Sequence, residues 1–147
     1  MSVQLEEAGI AFEYETDKCK FNYFTNVRNG GVIDKDGQAL ELPSKSKVIQ
    51  WHEYTCDFML MKSNGQPMFV ETKGYFKGKD RVKHQALKKL YPDIDLRILF
   101  QSDGKVSHKT TYSQWATKHG IHHHCLTHSE KKVGQLVPEE WLAECTQ

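Results

Sequence analysis

Alternating apolar and polar positions predict two strands near the start of the chain. Residues 11–15 alternate between apolar and acidic side chains, which is typical of a strand with one buried face. A second extended segment is predicted at residues 20–24. Before both, residues 3–10 resemble the last turns of a helix that Gly9 terminates. We therefore expect the chain to open with one helix and two strands.

The centre of the sequence predicts a hairpin, a helix and a third strand. Residues 54–61 and 67–74 are mainly apolar, and turn-forming residues at 63–66 join them. Apolar residues at helical spacing predict a helix over residues 80–90, before Pro92. These apolar residues are Val82, Ala86, Leu87 and Leu90. A third apolar strand is predicted at residues 96–100.

Two shorter helices are predicted in the last third of the chain. Residues 112–119 precede a helix-terminating Gly120. Pro138 suits the first position of a helix around Trp141. The order of helix, strands, helix, strand and helix predicts an α/β fold, with a small mixed β-sheet flanked by helices.

Residues 27–48 are the least core-like part of the chain. Three clusters of turn-favouring residues alternate there with short apolar pieces. The clusters are 29–31, 34–37 and 43–47. Because no repeat or linker divides the chain, we interpret the stretch as a hairpin insertion in a single domain that spans residues 1–147.

Composition narrows the class of protein. With 147 residues and 38% hydrophobic side chains, the chain has enough apolar material for one folded domain. Lys and Arg number 20 against 19 Asp and Glu, so the formal net charge is +1. This balance excludes a protein drawn to nucleic acid by bulk charge, but it leaves room for a local basic face.

The sequence has no feature typical of membrane insertion or secretion. No apolar run approaches the roughly 20 residues that span a bilayer, and the first residues are unlike a signal peptide. The cysteines at positions 19, 56, 125 and 145 form no CxxC pair. We therefore expect an intracellular protein with no membrane partner, whose cysteines are reduced thiols.

Three ionisable residues fall within the predicted central hairpin. Glu71 and Lys73 lie two positions apart on one strand, so their side chains share a face. Asp57 lies between apolar residues of the neighbouring strand. An acidic pair can hold Mg²⁺ through oxygen ligands, and a nearby lysine can orient or help deprotonate an attacking water. The three residues predict a phosphodiester hydrolysis site, whereas Glu71 and Lys73 alone are typical of a solvated ion pair.

The length of the hairpin loop decides whether the two carboxylates meet. A two-residue turn at residues 64–65 would place Asp57 opposite Thr72, on the face away from Glu71. A three-residue loop would place Asp57 opposite Lys73, and a five-residue loop would place it opposite Glu71. A shared metal therefore requires an odd loop or a bulge.

Basic residues lie on the outer faces of the predicted central helix, and one more directly precedes it. Such residues are by default a solvated helix face, but beside a phosphodiesterase site we expect them to contact DNA phosphates. They are Lys79, Arg81, Lys83, Lys88 and Lys89.

A second cluster combines several imidazoles with one thiol. Cys125 and His128 have the spacing of zinc ligands, but adjacent residues on a strand alternate faces and cannot all converge on one ion. Three interpretations stay open: an exposed polar strand, histidines that face DNA, and a structural zinc site. The cluster consists of His119, His122, His123, His124, Cys125 and His128.

Several motifs resemble the phage endonuclease I family, Holliday-junction-resolving enzymes of the PD-(D/E)xK nuclease superfamily. The most specific is Val-Glu-Thr-Lys-Gly at residues 70–74. The resemblance runs from about residue 5 to residue 141 and is interrupted near residues 27–48. Other matching positions are 57–58, 81, 83–84, 95–98, 118–121 and 138–141.

This resemblance implies a restriction-endonuclease-like core in an intertwined homodimer that cuts branched DNA, such as four-way junctions. It implies that Asp57, Glu71 and the backbone carbonyl of Thr72 bind the catalytic metal, Mg²⁺ or Mn²⁺. Lys73 is implied to assist hydrolysis. The family also implies action in the cytoplasm of a phage-infected bacterial host.

Two positions depart from the family's pattern. Cys56 stands where the family usually has a proline, which is not a ligand. A further catalytic glutamate on the family's first helix aligns before Met1, about two to three turns from Glu6 and Glu7. We therefore expect slow or structure-restricted cleavage. The alternatives are a nicking or homing nuclease of the same superfamily, and a DNA-binding protein whose catalytic site has decayed.

Overall fold

The computed structural model describes residues 1–27, 36–38 and 48–146. In these ranges the helices are α1 (Ser2–Glu7), α2 (Gly78–Leu90), α3 (Tyr112–Lys118), α4 (His128–Lys132) and α5 (Glu139–Cys145). The strands are β1 (Phe12–Tyr14), β2 (Lys20–Val27), β3 (Val48–Thr55), β4 (Phe58–Met61), β5 (Pro67–Lys73), β6 (Leu96–Phe100), β7 (Lys105–Ser107), β8 (Thr110–Thr111) and β9 (His123–Cys125).

The main sheet has five strands in the order β1-β4-β5-β6-β9. β4 is antiparallel to β1 and to β5, whereas β6 is parallel to β5 and to β9. The central strands β5 and β6 are apolar at successive positions because both of their faces are covered. The predicted α/β fold with a small mixed sheet is confirmed.

Helices cover both faces of this sheet. On one face, Leu5 of α1 and Trp141 of α5 belong to the same buried cluster as Val70 of β5. On the other face, Leu87 of α2 packs with Phe69, and α3 packs farther along the same face. The end of β5 therefore lies between two helical layers, where its polar residues are partly shielded from water.

β2 and β3 form a separate antiparallel ribbon. Their register runs from Lys20 opposite Thr55 to Val27 opposite Val48. The hairpin insertion predicted over residues 27–48 starts and ends at this last pair, and most of it lies outside the described residues.

The prediction of one continuous strand over residues 54–61 is wrong, because the chain breaks between β3 and β4. At this break the Cys56 amide donates to the Cys19 carbonyl at 3.0 Å, and the Glu15 amide donates to the Asp57 carbonyl at 2.9 Å. These bonds join the ribbon to the main sheet. Asp57 therefore lies just before β4 and not inside a strand.

The other helices and strands agree closely with the sequence-based expectations, with one correction on α2. The apolar spacing predicts that Val82 is buried, but it is 50% exposed, and His84 is buried instead. The β7–β8 pair and α4 had no clear sequence pattern. The four cysteines are free thiols, as predicted. Within the described ranges, none of the helices has the length and apolar character needed to cross a bilayer.

Candidate active site

Asp57 lies across the β4–β5 pair from Glu71. The last paired residues are Phe58 and Val70, so the next step along both strands brings Asp57 opposite Glu71. This register follows from a five-residue loop at residues 62–66, in which the Lys62 amide donates to the Gln66 carbonyl at 3.0 Å. Among the loop lengths considered from sequence, the structure has the one whose register sets residue 57 level with Glu71.

The Asp57 carboxylate is held by Thr72. Its Oδ2 accepts hydrogen bonds from the Thr72 amide at 2.8 Å and from the Thr72 hydroxyl at 2.6 Å. Thr72 was expected at the site through its carbonyl, and the structure brings it there through its amide and hydroxyl groups. These two bonds fix the orientation of Asp57 at the point where β4 begins.

Glu71 is a buried carboxylate, with 6% of its surface exposed. The Tyr54 hydroxyl donates to Glu71 Oε2 at 2.7 Å. Burial raises the pKa of Glu71, and the negative charge of Asp57 raises it further. The Tyr54 hydrogen bond and the charges of Lys73 and Lys83 act in the opposite direction. A cation placed between the two carboxylates would relieve their repulsion.

Lys73 faces two carboxylates. Its Nζ lies 3.4 Å from Glu71 Oε1 and 3.1 Å from Asp80 Oδ1. Partial burial alone would lower the pKa of Lys73, but the hydrogen bond to Asp80 and the charge of Glu71 outweigh it, so this pKa is raised. Lys73 is therefore a positively charged donor at neutral pH.

Asp80 is a site residue that the sequence did not reveal. Its Oδ2 accepts a hydrogen bond from the Lys77 amide at 3.1 Å, which caps the start of α2. Its Oδ1 lies 3.6 Å from Lys83 as well as close to Lys73. Burial would raise the pKa of Asp80, but these hydrogen bonds and charges lower it. The available signal was an acidic residue in the first turn of a predicted helix.

The carboxylate pair has the donor chemistry of a site for a hard cation. Mg²⁺ is often bound by one or two protein carboxylates while it retains several waters. Asp57 and Glu71 supply two carboxylates, and the charge of Asp57 acts on Glu71 by raising its pKa. Within the described part of the chain, no group of three or more His, Cys, Asp or Glu side chains is placed to hold a metal ion. The pair fits a cation that keeps most of its water shell.

The basic residues of α2 do not share one environment. Lys79 is exposed and Lys83 is half-buried, and both line a groove between α2 and the ribbon. The Arg81 guanidinium donates to the Phe76 carbonyl at 2.6 Å. Lys88 and Lys89 are exposed toward the other end of the helix. The structure therefore brings Lys79 and Lys83 together and leaves the other three apart from them.

The histidine cluster is divided among different contacts. His123 Nδ1 lies 2.9 Å from the Ile121 carbonyl, and His124 Nε2 lies 2.9 Å from Glu130 Oε2. His119 approaches Gln85 of α2. The interpretation as an exposed polar strand is right about the strand, since β9 pairs with β6. It is wrong about the exposure, since the residues of β9 are half-buried.

Comparison with known proteins identifies the class. The sequence model of phage endonuclease I matches residues 43–147. Endonuclease I of Escherichia phage T7 is 33% identical over 147 residues, which cover 98% of this chain and 74% of that protein. Endodeoxyribonuclease 1 of Enterobacteria phage T3 is 33% identical over 124 residues, which cover 82% of this chain and 63% of that protein.

These matches place a chain with a mixed α/β fold and an Asp–Glu–Lys site among the nucleases. It belongs to the phage endonuclease I family, so the resemblance drawn from its motifs is confirmed. The chain spans about three quarters of the T7 protein and less than two thirds of the T3 protein.

Proposed function

We propose that this protein is a metal-dependent endodeoxyribonuclease that recognises and cleaves branched DNA, such as four-way junctions. The observation that carries the proposal is the position of Asp57 opposite Glu71, with Lys73 on the same face of β5 as Glu71. Membership of a nuclease family supports the chemistry. Branched DNA is the substrate class implied by the resemblance of the motifs.

Asp57 and Glu71 are proposed to hold Mg²⁺ or Mn²⁺, with Thr72 beside them. Such an ion, when bound, polarises the phosphate and lowers the pKa of a coordinated water. The bonds from Thr72 keep the Asp57 carboxylate in place, and the bond from Tyr54 keeps that of Glu71 in place. Rigid ligands of this kind avoid reorganisation during the reaction.

Lys73 is proposed to act as a charged hydrogen-bond donor. Because its pKa is raised, its ammonium group holds its protons at neutral pH and is poorly suited to accept one from water. It can instead orient the attacking water and offset negative charge on the scissile phosphate. Asp80, 3.1 Å from Lys73 Nζ, keeps this group near Glu71.

A homodimer is the proposed assembly, since two symmetric cuts require two sites. The face of the ribbon that carries Phe24, Ile49 and Trp51 supports it, and we call this face the outer ribbon face. Trp51 is 60% exposed and Ile49 is 48% exposed, and the Phe24 and Trp51 rings pack 5.2 Å apart. An apolar surface of this kind is well suited to contact with a second chain.

Cleavage of a labelled four-way junction, analysed on a gel with and without Mg²⁺, tests the proposal. We expect paired cuts near the branch point only when Mg²⁺ is present, and little cleavage of a linear duplex of the same sequence. Cleavage of the linear duplex at a defined sequence would instead support a nicking or homing nuclease. Cleavage that persists in EDTA would refute the metal requirement.

One observation favours a second candidate, a DNA-binding protein without cleavage activity. In the described part of the chain, no third His, Cys, Asp or Glu joins Asp57 and Glu71 as a ligand set. The same junction assay separates the candidates, because a pure binding protein would shift the junction on a native gel and leave it uncut at every Mg²⁺ concentration.

A further inference from the structure

A groove runs between the β2–β3 ribbon and the first turns of α2. It has a volume of about 480 Å³ and is open to solvent. We call it the ribbon groove and define it by Tyr23, Thr25, His52, Lys79, Val82 and Lys83.

The charged side chains among these six residues are Lys79 and Lys83. They are four residues apart on α2 and therefore lie on the same side of the helix. Lys79 is exposed and has no ion-pair partner among the residues that the structure describes. Two ammonium groups in a groove whose described lining residues include no carboxylate are complementary to a phosphodiester backbone.

The opposite wall of the groove is aromatic. Tyr23 and His52 are direct partners across the ribbon, and their rings are stacked with centroids 4.9 Å apart. The Thr25 hydroxyl lies 2.9 Å from His52 Nε2 and fixes the imidazole. A basic track beside a rigid aromatic surface is the arrangement with which proteins bind single strands of nucleic acid.

The ribbon groove is connected to the candidate active site. Lys83 lies over the Tyr54 ring, 4.5 Å from its centroid, and Tyr54 donates to Glu71. Lys83 also contacts Asp80, which in turn contacts Lys73. Lys83 therefore links the ribbon groove to the contacts around Glu71 and Lys73.

We propose that the ribbon groove binds an unpaired segment of the DNA substrate next to the scissile phosphate, with phosphates at Lys79 and Lys83 and a base against the Tyr23–His52 pair. This inference rests on the proposed function, because it assigns the groove to the substrate of that site. The inference concerns branched DNA that has an unpaired segment, such as a fork with a single-stranded arm, because a linear duplex keeps its bases paired and stacked.

The phosphate contact is tested by the salt dependence of binding, measured in EDTA so that cleavage plays no part. Fluorescence anisotropy of a labelled fork with one single-stranded arm gives the dissociation constant over a range of NaCl concentrations. For Lys79→Ala, we expect the slope of log K against log[salt] to be shallower by about 0.7 to 0.9, the value for one lost phosphate contact. Lys132→Ala, an exposed lysine of α4, is the matched control and should keep the wild-type slope.

The aromatic contact is tested with His52→Ala on the same fork and on a fully paired duplex of equal length. We expect a loss of about fivefold or more in affinity for the fork, since a stacked base contributes at least that much, and less than about twofold for the duplex. His52→Phe keeps a ring at this position and should retain the affinity for the fork. Melting curves check that each variant is folded.

The outcomes separate this inference from the proposed function. If the wild-type protein binds neither DNA, the proposed function itself fails. If it binds and cuts junctions but Lys79→Ala keeps the wild-type salt slope, the ribbon groove is not the strand-binding site. Equal losses on fork and duplex for His52→Ala would overturn the assignment to unpaired DNA.

Discussion

The Tyr54 hydroxyl donates a 2.7 Å hydrogen bond to Glu71 Oε2, and both side chains are buried. This bond opposes the rise in the pKa of Glu71 that burial and Asp57 produce. Tyr54→Phe should therefore raise that pKa further and weaken the hold of Glu71 on a cation. We expect the Mg²⁺ concentration for half-maximal junction cleavage to rise about tenfold, which is typical of one lost hydrogen bond to a charged group.

Tyr91→Phe is a matched control for this change. The Tyr91 hydroxyl donates to the Asn22 carbonyl, also at 2.7 Å, but it does not contact Glu71. Its loss should lower the free energy of unfolding by about 1 kcal/mol and leave the Mg²⁺ dependence unchanged. An equal shift in Mg²⁺ dependence for both variants would mean that Tyr54 acts only through general stability.

Removing either carboxylate should separate binding from cleavage. Asp57→Ala and Glu71→Ala each take away a proposed metal ligand but no cation that contacts phosphate. We expect the rate of junction cleavage to fall at least about a hundredfold while the dissociation constant in EDTA changes less than about threefold. Lys73→Ala should also lose the chemical step. Glu140→Ala, an exposed acid on α5, serves as the control.

The assignment of the site depends on this result. If Asp57→Ala cuts a junction at nearly the wild-type rate in Mg²⁺, the carboxylate pair is not the catalytic centre. If it fails to bind the junction, the change has disturbed the fold, and circular dichroism would detect that difference.

The sequence predicted the strands of the central hairpin because they are apolar and bounded by turn residues. It could not choose among the possible registers, because the five-residue loop depends on its own hydrogen bonds. The Lys62 amide donates to the Gln66 carbonyl, and the Asn64 side chain accepts from the Gln66 amide. A change of one residue in the loop length would have shifted the register by one position, so that residue 57 would no longer align with Glu71.

Long-range contacts explain what the sequence did not reveal. Tyr54 and Glu71 are 17 positions apart and meet only because the chain breaks after β3. Asp80 reaches Lys73 because it lies in the first turn of α2, which begins soon after β5 ends. Apolar periodicity identifies segments that are buried, but it contains no information about which polar side chains meet once those segments pack.

His84 predicts a pH dependence of stability. It is buried beside the rings of Tyr54 and Phe76, and its Nε2 has no hydrogen-bond partner among the residues that the structure describes. Burial, with the nearby charges of Lys83 and Lys73, lowers its pKa to about 3. An unfolded histidine has a pKa of about 6.5, so below that pH the unfolded chain binds a proton that the native protein does not bind. Stability therefore falls as the pH falls from about 6.5 toward 3.

Urea unfolding at pH 8 and pH 5 measures this effect. The contribution of His84 to the free energy of unfolding should decrease by about 2 kcal/mol between the two pH values, and His84→Leu should remove that part of the decrease. His108→Leu, which removes an exposed histidine, is the control and should behave like the wild-type protein. The same pH dependence in His84→Leu as in wild type would contradict a neutral buried His84.

The outer ribbon face predicts the assembly in solution. Light scattering at micromolar concentration should give twice the 17.0 kDa mass of one chain. Trp51→Glu places a charge on this face and should shift the protein toward the monomer. Val133→Glu, at an apolar residue that is 74% exposed elsewhere, should not. A fully active wild-type monomer would rule out the proposed dimer.

The orientation of α1 supports a last prediction about the acidic residues on that helix. Met1 and Ser2 line a cavity of about 310 Å³ together with Asp57 and Thr72, so the helix presents its N-terminal end to the candidate site. Glu6 and Glu7 are exposed at the other end of the helix, about one turn or more away from Ser2. Glu6→Gln and Glu7→Gln should therefore leave the rate of junction cleavage unchanged. Ser2→Glu adds a carboxylate at the end that faces Asp57, and it should raise the rate in Mg²⁺ by completing the ligand set. A loss of cleavage in Glu6→Gln or Glu7→Gln, with the fold intact by circular dichroism, would mean that α1 brings its C-terminal acids to the metal and that its alignment with the family is mistaken.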